Sequence, residues 1–225
     1  IISEHFKNND KINKIITIDK PNVIKSKDKN DLEKNIDAVN IFNEKLYNSV
    51  LEVKNNNDFP IVLGGDHSLA IGSALASIKK EGKLGMIWID SHGDYNTFET
   101  TRTGNLHGLP LACLNHQTKD RLSFFHNGNY YDPKNTIIVG GRDIDPWEMP
   151  NIKDAGVTLF TTEDIRDQGI ENIIKKAMDI ALKNTNGVHI SYDLDVIDPQ
   201  IAPGVSVPAI NGITEDEAYK IADEV

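Results

Sequence analysis

Five short stretches of the sequence are apolar at consecutive rather than alternate positions: FPIVLGG (59–65), LGMIWID (84–90), TIIVGG (136–141), VTLF (157–160) and GVHISYD (187–193). A strand with one wet face alternates apolar and polar residues. A strand that is apolar throughout must be covered on both faces. Segments with helical spacing separate several of these runs. SLAIGSALASIKKEG ends at Gly82, which is placed as a helix C-cap, and IENIIKKAMDIALKN follows Thr161. From Asp31, the residues Leu32, Ile36, Val39, Leu46, Val50 and Val53 recur at helical spacing, with Asn30 and Glu33 placed as a capping box. Strands and helices in this alternation predict an α/β fold: a three-layer αβα sandwich around a mostly parallel sheet. With 225 residues, no internal repeat and no linker, the chain reads as one domain over 1–225. Residues 1–30, rich in Lys, Asn and Asp, are expected to be loop, with KINKIITID able to hold a short strand. The start lacks Met, and the last segment opens with Thr214 and Glu217 in capping-box spacing but stops without a cap, so the chain reads as cut at both ends.

Charge and composition exclude several function classes. A net charge of -10 argues against a nucleic-acid surface. No apolar run reaches the roughly 20 residues of a membrane span, and no signal peptide is visible. The single Cys113 leaves neither a disulfide framework nor a thiolate cage. A soluble, cytoplasmic protein is the expectation.

The chemistry concentrates at strand ends. Just after LGMIWI come Asp90, His92 and Asp94, every second residue. In extended chain such residues project to one side. Asp193 and Asp195 end another apolar run with the same spacing, and VLGGDHS delivers His67 after two glycines. Ligands bind outside the carboxyl ends of the strands in open α/β sheets. Four carboxylates gathered there would repel one another, and two divalent cations would cancel their charge. Carboxylates and imidazoles without thiolate favour Mn²⁺ or a similar ion, and a pair of such ions about 3.5 Å apart can share a hydroxide nucleophile.

GGDHS, DSHGDYNT, GNLHG and SYDLDVIDPQIAPGVSVP, in this order and approximate spacing, resemble the motifs of the ureohydrolases, and of the arginases in particular. The resemblance runs from about Phe59 to the C-terminus. It implies an arginase-like fold and two Mn²⁺ ions. One ion would take His67, Asp90, Asp94 and Asp193; the other would take Asp90, His92, Asp193 and Asp195, with Asp90 and Asp193 bridging. It implies hydrolysis of the guanidinium group of L-arginine to L-ornithine and urea, with Asp94 passing a proton to the leaving amine and His107 of GNLHG as the proton shuttle. Asn96 and Thr103 fall where arginases hold the substrate α-carboxylate. GRDIDPWE matches the segment that recognises the α-ammonium, through Asp145, with Glu148 less directly and Asp143 in support. Trimers or hexamers are implied as well.

The chain departs from the family in three places. Val207 stands where a hydroxyl residue is common, with Ser206 one step away. Arg102 replaces a small hydroxyl residue and is expected to face solvent. The family's guanidinium-binding Glu falls past Val225, so the 225 residues alone are expected to be poorly active. His5, His116, His126 and His189 read as surface-loop residues. Agmatinase, formiminoglutamase and an inactive metal-binding homologue are the alternative readings.

Overall fold

A computed structural model describes residues 9, 11–21, 33, 35–119, 121–123 and 128–225. His5, His126, Asn30 and most of the loop expected over 1–30 fall outside the described residues. Residues 11–21 carry no strand, so the short strand read into KINKIITID is absent there.

Helix α1 (Ile36–Asn55) begins after Asn35, whose φ of 69° stops the helix from extending backwards. Its buried residues Asn40, Asn43, Leu46, Tyr47 and Val50 fall three or four apart, in one stripe. That stripe meets α2 (Ala70–Glu81). The approach is close because Gly72 has no side chain: a Cβ there would stand 2.5 Å from the Asn43 carbonyl oxygen. Its amide donates to Asn43 Oδ1 at 2.8 Å instead. Gly82, with φ of 81°, ends α2 as its spacing predicts.

Among the described residues four strands form one sheet: β1 (Gly85–Ile89), β2 (Thr136–Gly141), β3 (Thr158–Thr161) and β4 (Val188–Tyr192). Their order is β3-β2-β1-β4 and every pairing is parallel. Period-2 alternation sorts the β1 side chains onto the two faces. Met86 and Trp88 pack towards α1, α2 and α3 (Pro110–Leu114). Ile87 and Ile89, with Ile137 and Val139 of β2, pack against α5 (Thr162–Gln168), α6 (Ile170–Ala181) and α7 (Glu215–Glu224). Helix α4 (Met149–Ala155) leads into β3. The three-layer αβα arrangement is the predicted one, and the Thr214–Glu217 capping box opens α7 with both reciprocal bonds present.

One expected strand is not there. FPIVLGG runs without strand pairing, and Phe59, Ile61 and Leu63 are 86%, 74% and 58% exposed. A strand is defined by a neighbour that takes its amides and carbonyls, and no described strand lies beside this segment.

Candidate metal centre

The chain runs β1, β2, β3 in one direction across the sheet and then returns to lay β4 on the other side of β1. The connections leaving β1 and β4 therefore diverge, and a crevice opens between the two carboxyl ends at this topological switch point. Both acidic clusters sit there. Asp90 follows β1, with its amide bonded to the Val139 carbonyl, and Asp193 follows β4, with its amide bonded to the Ile89 carbonyl. The turn His67–Leu69 completes the crevice; Asp66 caps it through Ser68.

Six predicted ligands converge in two overlapping groups. His67 Nδ1 lies 2.9 Å from Asp90 Oδ2, 3.1 Å from Asp94 Oδ2 and 3.2 Å from Asp193 Oδ2. His92 Nδ1 lies 3.3 Å from Asp90 Oδ1 and 3.1 Å from Asp195 Oδ2. His67–Asp90–Asp193 and Asp90–His92–Asp195 each bring one donor atom per residue within 4.8 Å of the others. Ligands about 2.1 Å from an ion and at right angles to one another stand about 3 Å apart, so these spacings suit a small divalent cation in each group.

The surroundings fit the same reading. His67 Nε2 bonds to Ser191 Oγ at 2.8 Å. Its buried Nδ1 has no hydrogen-bond partner and faces three carboxylate oxygens. A lone pair held against three anions needs either a proton or a cation between them. Without an ion the protons fill in. Burial pulls His67 down, but Asp193, Asp90 and Asp94 outweigh it and raise its pKa well above the usual value. Burial likewise works against His92, yet Asp195 and Asp90 hold it at about 11. Burial and the charge of Asp90 push Asp94 up. Asp94 also sits at φ of 49°, a conformation costly for a non-glycine residue, with its carbonyl accepting from the Leu111 and Ala112 amides at the start of α3.

The structure brings out supporting residues that the sequence reading passed over. The Trp88 ring stacks on His67 with centroids 4.0 Å apart, and its Nε1 donates to Asp90 Oδ2 at 3.0 Å. Ser91 donates to Asp195 Oδ1 from both its amide and its hydroxyl. Trp88 and Ser191 each stand two residues before a ligand on the same strand, so the period-2 spacing that marked the ligands could have marked them too.

The remaining candidates divide. Asn96 and Asp145 meet: Asn96 Nδ2 donates to Asp145 Oδ2 at 3.1 Å. Thr103 is on an exposed loop, its hydroxyl accepting from the Asn105 amide. Glu148 is buried beneath the D-x-H-x-D loop, close enough that a Cβ on Gly93 would lie 2.8 Å from its carboxylate. Its oxygens accept from the amides of Tyr95 and Asp145, and burial raises its pKa to about 8. His107, in the turn Leu106–Gly108, has Nδ1 3.8 Å from Asp66 Oδ2, and that carboxylate raises its pKa.

One expectation holds and one needs correcting. Arg102 is exposed, as expected, and its guanidinium lies over the Trp147 ring, 3.8 Å from the centroid. His189 is in β4 rather than a surface loop, against Ser77 and the edge of Tyr131. Val207 is exposed, and His116 lies in the turn after α3 against Tyr130.

Comparison with known proteins agrees with the geometry. The family model described as "Arginase family" matches residues 3–225. An arginase of Bacillus subtilis (strain 168) is 41% identical over 199 residues, covering 87% of this chain and 66% of that protein. An arginase of Brevibacillus brevis is 42% identical over 190 residues, covering 83% and 63%. The solved structure of Bacillus caldovelox arginase superposes with a TM-score of 0.86 at 35% identity, over 93% of this chain and 70% of that one. The chain thus spans just under two thirds of the length of these two curated relatives.

Proposed function

The chain belongs to the arginase family and has its α/β fold, and on that premise we propose that it is the catalytic portion of a dimanganese hydrolase converting L-arginine and water to L-ornithine and urea. The observation that carries this reading is the convergence of six O and N donors at the β1–β4 crevice in two overlapping groups.

His67, Asp90, Asp94 and Asp193 would hold one Mn²⁺, and His92, Asp90 and Asp195 the other, with Asp90 shared. The pair supplies a water deprotonated near neutral pH and charge stabilisation for its attack on the guanidinium carbon. This chain's residues orient the substrate and move the protons. Asp145 gives the α-ammonium a carboxylate, and Asn96, already bonded to Asp145, reaches the α-carboxylate together with Thr103. Glu148 acts on the α-ammonium end indirectly, by holding the amides of Tyr95 and Asp145 in place. Asp94, its pKa raised by burial and by Asp90, passes a proton to the departing ornithine amine. His107, at the rim beside Asp66, exchanges protons between the crevice and water.

The reading extends to a single catalytic domain acting in the cytoplasm as a homo-oligomer, trimer or hexamer. It rests on the family resemblance, and no described helix is long and apolar enough to cross a membrane. The test is urea release by the full-length protein loaded with Mn²⁺, with arginine and agmatine as competing substrates. Arginine is expected to be strongly preferred, because agmatine lacks the carboxylate that Asn96 and Thr103 would hold. Urea from agmatine alone, or Mn²⁺ uptake without urea from either, would overturn the assignment.

A further inference from the structure

Arg142 is the first residue after β2, yet among the described residues its side chain pairs with no carboxylate. Nε donates to the Ile210 carbonyl at 3.0 Å. Nη1 donates to the carbonyls of Val196 at 2.9 Å and Gly140 at 3.4 Å. Nη2 donates to Asp195 and Ala209, both at 2.8 Å. A guanidinium has five N–H groups in a rigid planar fork. Here all five bonds go to backbone carbonyls, from the end of β2, from the turn Leu194–Val196 that carries Asp195, and from the returning segment 209–210. The backbone is used too: the amides of Arg142 and Asp143 both donate to the Ser91 carbonyl. Ser91 in turn donates twice to Asp195 Oδ1. Arg142 therefore fixes Asp195 from two sides, its main chain directly and its carboxylate by way of Ser91.

These contacts are lopsided with respect to the centre. Asp195 belongs to the Asp90–His92–Asp195 group, not to His67–Asp90–Asp193. The latter group is held mainly by other contacts, namely Ser191 on His67, Trp88 on His67 and Asp90, and the Ile89 carbonyl on the Asp193 amide; the Asp195 amide on Asp193 Oδ1 links it to the turn that Arg142 holds. From this asymmetry we propose that Arg142 is the positioning residue for one half of the metal centre, the half completed by His92 and Asp195. The proposal rests on the dimanganese reading and adds to it an independent control of the two ions. A ligand turn with two of its carbonyls bonded to a rigid fork, which the carbonyls of Gly140, Ala209 and Ile210 anchor in turn, stays in place when its ion leaves; without the fork, the Asp195 carbonyl and its neighbours must find water instead. Lysine is no substitute, because its ammonium is a point donor with three N–H groups and cannot span five carbonyls.

The experiment measures Mn²⁺ affinity, by the electron paramagnetic resonance signal of free Mn²⁺, in the full-length protein carrying one functional group at a time. His67→Ala leaves the His92–Asp195 half, and Asp195→Ala leaves the His67–Asp193 half. Adding Arg142→Met is expected to weaken Mn²⁺ binding about 10–100-fold in the His67→Ala background and less than about threefold in the Asp195→Ala background. Arg142→Lys is expected to behave as Arg142→Met does. Equal weakening in both backgrounds would mean general loss of structure and overturn the proposal, as would no change in either. Full recovery with Arg142→Lys would show that charge rather than the fork matters and would overturn it as well. Failure of the unsubstituted protein to take up Mn²⁺ is a separate result: it removes the dimanganese reading itself, and this proposal with it.

Discussion

Asp90 offers one carboxylate oxygen to each histidine, Oδ2 to His67 and Oδ1 to His92, while Asp193 meets only His67 through Oδ2 and spends Oδ1 on the Asp195 amide. The two bridging candidates are thus unequal in this geometry. Asp90→Ala is expected to abolish uptake of both ions, and Asp193→Ala to leave about one Mn²⁺ per chain, since it empties only the His67 side. Metal content after gel filtration separates the two, and identical losses would contradict the inequality. Trp88 does two jobs that one substitution can divide. Trp88→Phe keeps a ring under His67 but removes the Nε1 donor to Asp90, and a lost supporting bond of this kind is expected to weaken Mn²⁺ binding about tenfold or more. Titration against a fluorescent chelator measures it; unchanged affinity would reduce Trp88 to packing.

At the scale of elements, β4 is, with β3, one of the two edge strands among the described residues, and it carries His189. Burial, then the nearby charge of Lys54, lowers the His189 pKa to about 4. Above the ordinary value of about 6.5 both folded and unfolded chains hold it neutral, and it contributes no pH dependence. As pH falls from about 6.5 towards 4, the unfolded chain takes up a proton that the folded chain refuses, so stability falls. The loss reaches at most about 3 kcal/mol near pH 4, less to the extent that water reaches the ring. Denaturant midpoints for His189→Gln between pH 7 and pH 4.5 should therefore decline less steeply than those of the parent; parallel declines would place the ring in water. The strands that sequence made legible are those whose apolar runs meet a partner on each side or pack both faces, such as MIWI and TIIVGG. FPIVLGG has the same composition, but strand structure depends on a neighbour, and Ile61 cannot announce whether one is present. The ligands were legible for the opposite reason: their spacing of two is local and survives any tertiary arrangement. Arg142 was not, because its five acceptors lie up to 68 residues away and are backbone atoms of no particular residue type. Glu148 was legible as a member of a motif but not as a buried carboxylate under Gly93, a position set by how the 142–148 loop folds against the 90–95 loop.

Across the whole molecule, the crevice joins segments that are distant in sequence: the turn at His67, the loop after β1 and the turn after β4. Without ions these segments present four carboxylates to one another, and the protonated histidines, with the Arg142 guanidinium beside Asp195, offset the repulsion. Ions that bind the folded chain and not the unfolded one stabilise it by mass action, about 2.7 kcal/mol for a site at one hundred times its dissociation constant. For a chain of this size each kcal/mol raises the melting temperature by about 2–4 °C, so filling one site is expected to raise it by about 5–11 °C. Calorimetry on the full-length protein, first with excess chelator and then at rising Mn²⁺, checks this. The melting temperature should climb with the logarithm of Mn²⁺ concentration rather than reach a plateau at stoichiometric metal. The informative control is Asp90→Ala, which removes the shared ligand and also one of the four mutually repelling charges. Its melting temperature should be indifferent to Mn²⁺ and should lie at or above that of the chelated parent. A control that melts well below the chelated parent would mean that Asp90, through its bond from Trp88, supports the fold more than it strains it.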